Sequence, residues 1–215
     1  MKNFKAMLFG ILAAVAAAIV PVGAMAEDLA PDALIKSVSN EVLTIVRQDK
    51  DIQNGNTQRV IQLVEQKVLP HFNFGHMTQL AVGRDWNKST PEQKKQLTNE
   101  FRNLLVRTYS NALTAYKNQT IDYKPLKFQP ADTDLTVKTQ VNQPGGKPIK
   151  IDYNLEKLAD GWKVYDVVIA DVSLVTNYRE TFAQEVRNGG IDGLIKALAA
   201  KNKSLESGAK VADKK

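Results

Sequence analysis

The sequence contains no cysteine. A disulfide framework, a lipid attached at a cleavage-site cysteine and Cys-based metal or redox chemistry are therefore excluded. There are only two histidines, His71 and His76. Five residues apart, they would sit about 140° from each other on a helix, a poor arrangement for sharing one metal ion. They read as surface or capping residues. Also missing are G-x-S-x-G, Walker A, H-E-x-x-H, a dinucleotide glycine pattern and an EF-hand loop. No apolar run reaches the roughly 20 residues of a spanning helix.

A strong charge of either sign is lacking too, once the ends are set aside. The formal net charge is +6. Lys2 and Lys5 precede an apolar stretch, residues 7–22, interrupted only by Gly10 and Pro21. Ala24-Met25-Ala26 then supplies the small-x-small pattern read by signal peptidase before Glu27. Residues 1–26 are expected to be a cleaved signal peptide, with an uncleaved anchor as the alternative. Residues 201–215 hold five lysines and two acids and are expected to be a disordered basic tail. Residues 27–200 hold 22 basic and 21 acidic residues. That near-neutral balance gives no reason to expect nucleic acid as a partner, and the length suits one domain with a sizeable core.

What is present is a change of hydrophobic period along the chain. Leu34, Val38, Val42, Ile45 and Val46 recur at helical spacing after Pro31, and residues 51–56 form a polar turn. Val60, Ile61, Val64 and Val68 mark a second amphipathic helix, stopped by Pro70. Residues 69–86 are unusually apolar for a linker, and a short helix over 73–81 closed by Gly83 is expected. Ser89-Thr90-Pro91-Glu92-Gln93 is a strong helix start. The helix it begins can run to about residue 117, with Leu97, Phe101, Leu104, Leu105, Tyr109, Ala112, Leu113 and Tyr116 as its stripe. A helix that long backs a whole sheet.

From Ile121 the period becomes two, with strands expected around 121–123, 135–141, 149–155 and 162–169. The short turns between them imply an antiparallel meander with one apolar face. The fourth strand passes almost directly into a helix over 172–187, with Asp171 or Ser173 as its N-cap. Asn188-Gly189-Gly190 ends that helix, and residues 191–200 form a last short one.

Asp166 is the one acid in an otherwise apolar strand. It is either a base with a raised pKa or a structural carboxylate, paired with Arg179 or with backbone N–H groups. The structural reading is preferred here. Helices over such a sheet close fully or leave a cavity; composition leaves both open, a solid core being the default.

Several segments, in order, are LPHFNFGHM, VGRDW, TPEQKKQLTNEF, residues 109–116, GWKVYDVVIADVSLVTNYRETF and GGIDGLIKAL. From about residue 31 to 200 they resemble the MlaC-type, toluene-tolerance family of periplasmic phospholipid carriers. Asn73 stands where that family commonly has aspartate, and Ala170-Asp171 where a glycine usually precedes Val-Ser-Leu. The resemblance implies an α+β fold: a four-stranded antiparallel sheet backed by a long helix and several shorter helices, enclosing an apolar lipid cavity. It implies a non-enzymatic carrier in the periplasm, monomeric, with phospholipid as ligand and no cofactor. The implied partners are an inner-membrane ABC transporter complex with a lipid-binding ring and an outer-membrane lipoprotein–porin complex. Shuttling between them would maintain outer-membrane lipid asymmetry.

On that reading the lipid-contacting residues are expected on three surfaces. The first is Phe72, Phe74, Met77, Leu80 and Val82. The second is the sheet face of Val137, Thr139, Val141, Ile149, Ile151 and Tyr153. The third is helical: Phe101, Leu105, Tyr109, Leu174, Val175 and Tyr178. A small-molecule enzyme using Asp166 as base, or a solid-core adaptor, are the alternatives.

Overall fold

The computed structural model describes residues 29–116 and 118–207. The expected signal peptide and the last eight residues of the expected tail lie outside them. Helix α1, Pro31–Gln48, starts with Pro31 at a first-turn position that needs no N–H. Asp49 ends α1 and caps the single-turn α2, Lys50–Gln53, where the sequence suggested only a turn. Its carboxylate accepts from the N–H groups of Asp51 and Ile52. Asn56 caps α3, Thr57–Lys67, and Asn73 caps α4, Phe74–Val82. A short 3-10 helix at Leu69–His71 lies between those two. Gly83 closes α4 with φ 65°, a conformation that favours glycine.

Helix α5, Pro91–Tyr109, begins with the expected reciprocal capping box of Thr90 and Gln93. It is shorter than its apolar stripe suggested. Ser110 interrupts it before α6, Asn111–Thr114. Ser and Asn side chains compete for backbone hydrogen bonds and weaken helix continuation. The partners of α5 are α4 and α7, Leu174–Glu206. The sheet is instead covered directly by α1, whose Leu34 and Ile35 pack with Val137, Leu155, Val164 and Val167.

The sheet is an antiparallel meander in the order β1 (Thr120–Tyr123), β2 (Asp134–Asn142), β3 (Ile149–Leu158), β4 (Gly161–Ile169), β5 (Val172–Ser173). The two-residue β5 makes five strands where four were expected. Ala170 and Asp171 both adopt positive φ, 48° and 66°. That is the backbone of a tight two-residue hairpin, so β4 reverses before the helix starts. Ser173, rather than Asp171, is the N-cap of α7, accepting from the N–H of Thr176.

Gly190 breaks α7 at φ 67°, where the sequence marked a turn. Beyond it, helix continues to Glu206, which corrects the expected start of the tail at 201. Buried Asn202 donates to the backbone carbonyl of Glu100 at 2.9 Å and to its carboxylate at 2.7 Å. Leu205 packs on the helical core. Truncation after Ala200 is therefore expected to lower stability by about 1–3 kcal/mol, the cost of losing such bonds and a buried aliphatic group. Truncation after Ser207 should leave the melting temperature unchanged, and equal melting of the two truncations would contradict this assignment.

Candidate functional site

The sheet's inner face is set by register. Leu135, Leu155 and Val164 form one cross-strand row, followed by Val137, Tyr153 and Val167, then Thr139, Ile151 and Ile169, then Val141 and Ile149. The alternation in β4 survives only because the pairing shifts at Asn154/Leu155, where Tyr165 has no partner opposite. This bulge brings Val164 and Val167, three apart, to the same face. One end of the face is sealed, with Val137 1% and Leu155 0% exposed beneath α1. The other end is not sealed. There Ile149, Ile151, Tyr153 and Ile169 bound a pocket of about 590 Å³.

The facing walls come from α1 (Leu34, Ile35, Val38, Val42), α3 (Val64), the segment between α3 and α4 (Val68, Leu69, Phe72), α4 (Phe74, Met77), and α5–α6 (Leu105, Val106, Tyr109, Leu113). Three hydrophobic clusters meet around it: a helical core, a cluster of α1 with α3, and the sheet with α1. Burial pushes the Tyr153 hydroxyl up to about 12, so it is neutral at any physiological pH. His71, also in the wall, is held below the usual imidazole range by burial and then by the neighbouring Lys163. It therefore favours the neutral form. The wall is thus overwhelmingly apolar and carries no charge of its own at neutral pH. Such a surface takes hydrocarbon and rejects ions.

Ten of the expected contact residues line this pocket: Phe72, Phe74, Met77, Leu105, Tyr109, Val141, Ile149, Ile151, Tyr153 and Leu174. Seven lie outside its wall. Phe101, Val82 and Val175 are buried in the helical core, with Leu80 and Tyr178 packed against it. Val137 is sealed in the sheet cluster, and Thr139 is turned to β3, donating to the Ile151 carbonyl at 2.8 Å. The α1 residues were missed as wall. Their stripe was legible, but a helix face looks the same whether it meets side chains or a cavity. One signal was available: Ile35, Ser39 and Leu43 widen the stripe beyond a narrow packing seam.

Asp166 does not line the pocket. Its carboxylate accepts from the Ser173 hydroxyl at 2.6 Å and from the Val175 N–H at 3.2 Å, so it holds the start of α7. Arg179, its suggested partner, donates instead to the Leu80 carbonyl through Nε and Nη2. Asp166→Ala is expected to cost about 1–3 kcal/mol by stranding buried donors, and Asp166→Asn less, because an acceptor remains. Denaturant titration checks this; equal midpoints for wild type and Asp166→Ala would remove the capping role.

His76 and Asn73 converge on one carboxylate oxygen of Glu156, at 2.9 and 2.8 Å. His76 also stacks on Tyr165, ring centroids 4.7 Å apart. This ties α4, and with it Phe74 and Met77, to the sheet. Among the described residues no cluster of three His, Asp or Glu is placed to hold a metal, and no helix is long and apolar enough to cross a membrane.

Comparison with known proteins agrees with this geometry. The family model described as MlaC protein matches residues 36–200. Toluene tolerance protein ttg2D of Pseudomonas putida is 24% identical over 163 residues, 75% of each chain. The intermembrane phospholipid transport system binding protein MlaC of Haemophilus influenzae is 26% identical over 173 residues, 78% of this chain and 80% of its own. A solved structure of the phospholipid-binding protein from Ralstonia solanacearum, in complex with a phospholipid, matches with a TM-score of 0.76. It is 41% identical, and the match covers 81% of this chain and 98% of that one. The family match runs from α1 into the second half of α7, through every element that walls the pocket, and the chain belongs to the MlaC family.

Proposed function

We propose that this protein is a periplasmic phospholipid carrier that shields acyl chains in the pocket between the sheet and the helices. The observation that carries this reading is the pocket itself, about 590 Å³ with almost wholly apolar walls. That size falls within the usual range for small-molecule sites, roughly 300–1,000 Å³. The relatives named for phospholipid binding and transport support it. At about 0.8 kcal/mol per methylene, exposing one chain of roughly 15 methylenes to water costs on the order of 12 kcal/mol. An apolar pocket removes most of that barrier to crossing an aqueous compartment. Relative to a bilayer the net transfer is close to zero, so loading and unloading follow from the partner met. On this reading the partners are an inner-membrane ABC transporter complex and an outer-membrane lipoprotein–porin complex, and the exchange maintains outer-membrane lipid asymmetry.

The carrier reading places no catalysis in this chain, and the role of Asp166 at the start of α7 speaks against its use as a base. Organic extraction of protein purified without detergent, followed by mass spectrometry, is the test. Stoichiometric glycerophospholipid is expected; an empty extract from folded protein would sink the carrier reading. Export is part of the same proposal. N-terminal sequencing should find Glu27, and recovery of Met1 on a membrane-bound form would reject cleavage after Ala26.

A further inference from the structure

The pocket reaches solvent beside α6. Among its lining residues Ala112 and Ala115 are the exposed ones. Three of its polar wall residues lie together there: Tyr116 and Gln119 follow α6, and the pairing of Thr120 with Asn142 sets Gln119 beside Gln143. Arg47, an exposed residue near the end of α1, is built onto this rim. Its Nη2 donates to the Tyr116 hydroxyl at 2.6 Å and to the Gln119 carbonyl at 3.4 Å. The guanidinium lies 5.4 Å from the centroid of the Tyr116 ring. The Tyr116 hydroxyl itself donates to the Gln119 carbonyl at 2.5 Å. Among the described residues no carboxylate pairs with Arg47, and Asp122 on the adjoining β1 is taken by Asn142.

A guanidinium carries five N–H donors in a rigid fork. Here one nitrogen is used for anchoring, while Nε and Nη1 have no partner among the described residues. A cation fixed by neutral acceptors, at the edge of an apolar pocket, keeps its full charge for something else. The fork matches two oxygens of a phosphate group. We propose that Arg47 is the anion contact of this pocket, taking the phosphate of an amphiphile whose chains fill the apolar part. The proposal rests on the carrier reading above and adds to it a head-group determinant: phosphate-bearing lipids are preferred over neutral lipids with the same chains.

The test uses the purified full chain stripped of lipid, offered vesicles containing either phosphatidylglycerol or diacylglycerol of identical acyl chains. Wild type is expected to take up phosphatidylglycerol preferentially, with a preference that shrinks at high salt. Arg47→Gln keeps amide donors for Tyr116 and Gln119 but removes the charge. It should lower phosphatidylglycerol uptake about tenfold, the size of one charge-assisted contact, and leave diacylglycerol uptake unchanged. Arg47→Lys should restore most of the preference at low salt. An unchanged preference in Arg47→Gln overturns the proposal, and so does equal loss of both lipids, which would make Arg47 a strap across the rim. Inorganic phosphate is the control for a free-anion site: saturable binding that does not compete with phosphatidylglycerol also overturns it. If Arg47→Gln does not fold, the Arg47→Lys preference and the wild-type salt dependence decide. Wild type that takes up both lipids equally leaves the carrier standing and removes the role of Arg47; wild type that takes up neither removes both.

Discussion

Ile151→Trp is expected to fold and to lose bound phospholipid, whereas Val137→Trp is expected to lose stability. The two positions face the same side of the sheet on adjacent strands, and by sequence they are indistinguishable members of one alternating pattern. Ile151 lines the pocket, so an indole there occupies space that acyl chains would use. Val137 is 1% exposed and sealed beneath α1, where extra volume must displace close-packed neighbours. Overpacking of that kind costs about 1–3 kcal/mol or more. Melting temperature and extracted phospholipid, measured on both variants, separate the cases. If Ile151→Trp kept its full lipid content, the lumen would not be where acyl chains lie. If Val137→Trp melted like wild type and merely lost lipid, the boundary between core and pocket would be misplaced by a full cross-strand row.

The largest loss of stability is expected from Phe101→Ala. Phe101 is fully buried at the centre of the helical core. Its ring meets Tyr178 and Phe182 edge-on, at centroid distances of 5.2 and 5.1 Å and near-perpendicular planes. Truncating such a ring removes its transfer free energy and leaves a cavity among residues of α4, α5 and α7, costing about 3–5 kcal/mol. For a domain of this size that is a fall in melting temperature of roughly 6–20 °C. The folded fraction should still carry phospholipid, because Phe101 is not part of the pocket wall. A variant with wild-type stability and no lipid would return Phe101 to the site, where its place on the α5 stripe first suggested it.

The elements themselves were legible because their signals are local. Pro31, the Thr90–Gln93 capping box, Gly83 and the break at Gly190 act within one turn of backbone, and each stands where the sequence put it. The apolar face of β2 and β3 was legible too, from their period-two alternation, but the register was not, since the shift at Asn154/Leu155 changes which β4 residues share that face. The two-residue β5 was not, because its hairpin also needs Ala170 in a left-handed conformation, which alanine, unlike Asp171, gives no sign of. Nor was the helical end past Ala200, whose polar composition hides the buried Asn202 reaching back to Glu100.

Sequence by itself determined the family, the periodicities and which faces are apolar. Tertiary structure decided which parts of those faces meet side chains and which meet space. Leu105 and Phe101 lie one helical turn apart on the same stripe of α5, yet one lines the pocket and the other is sealed in the core. An apolar residue gains much the same free energy by leaving water for a packed core or for a hydrocarbon ligand. Composition is therefore blind to the difference, and only the placement of the elements, with the bulge in β4 and α1 packed over one end of the sheet, resolves it.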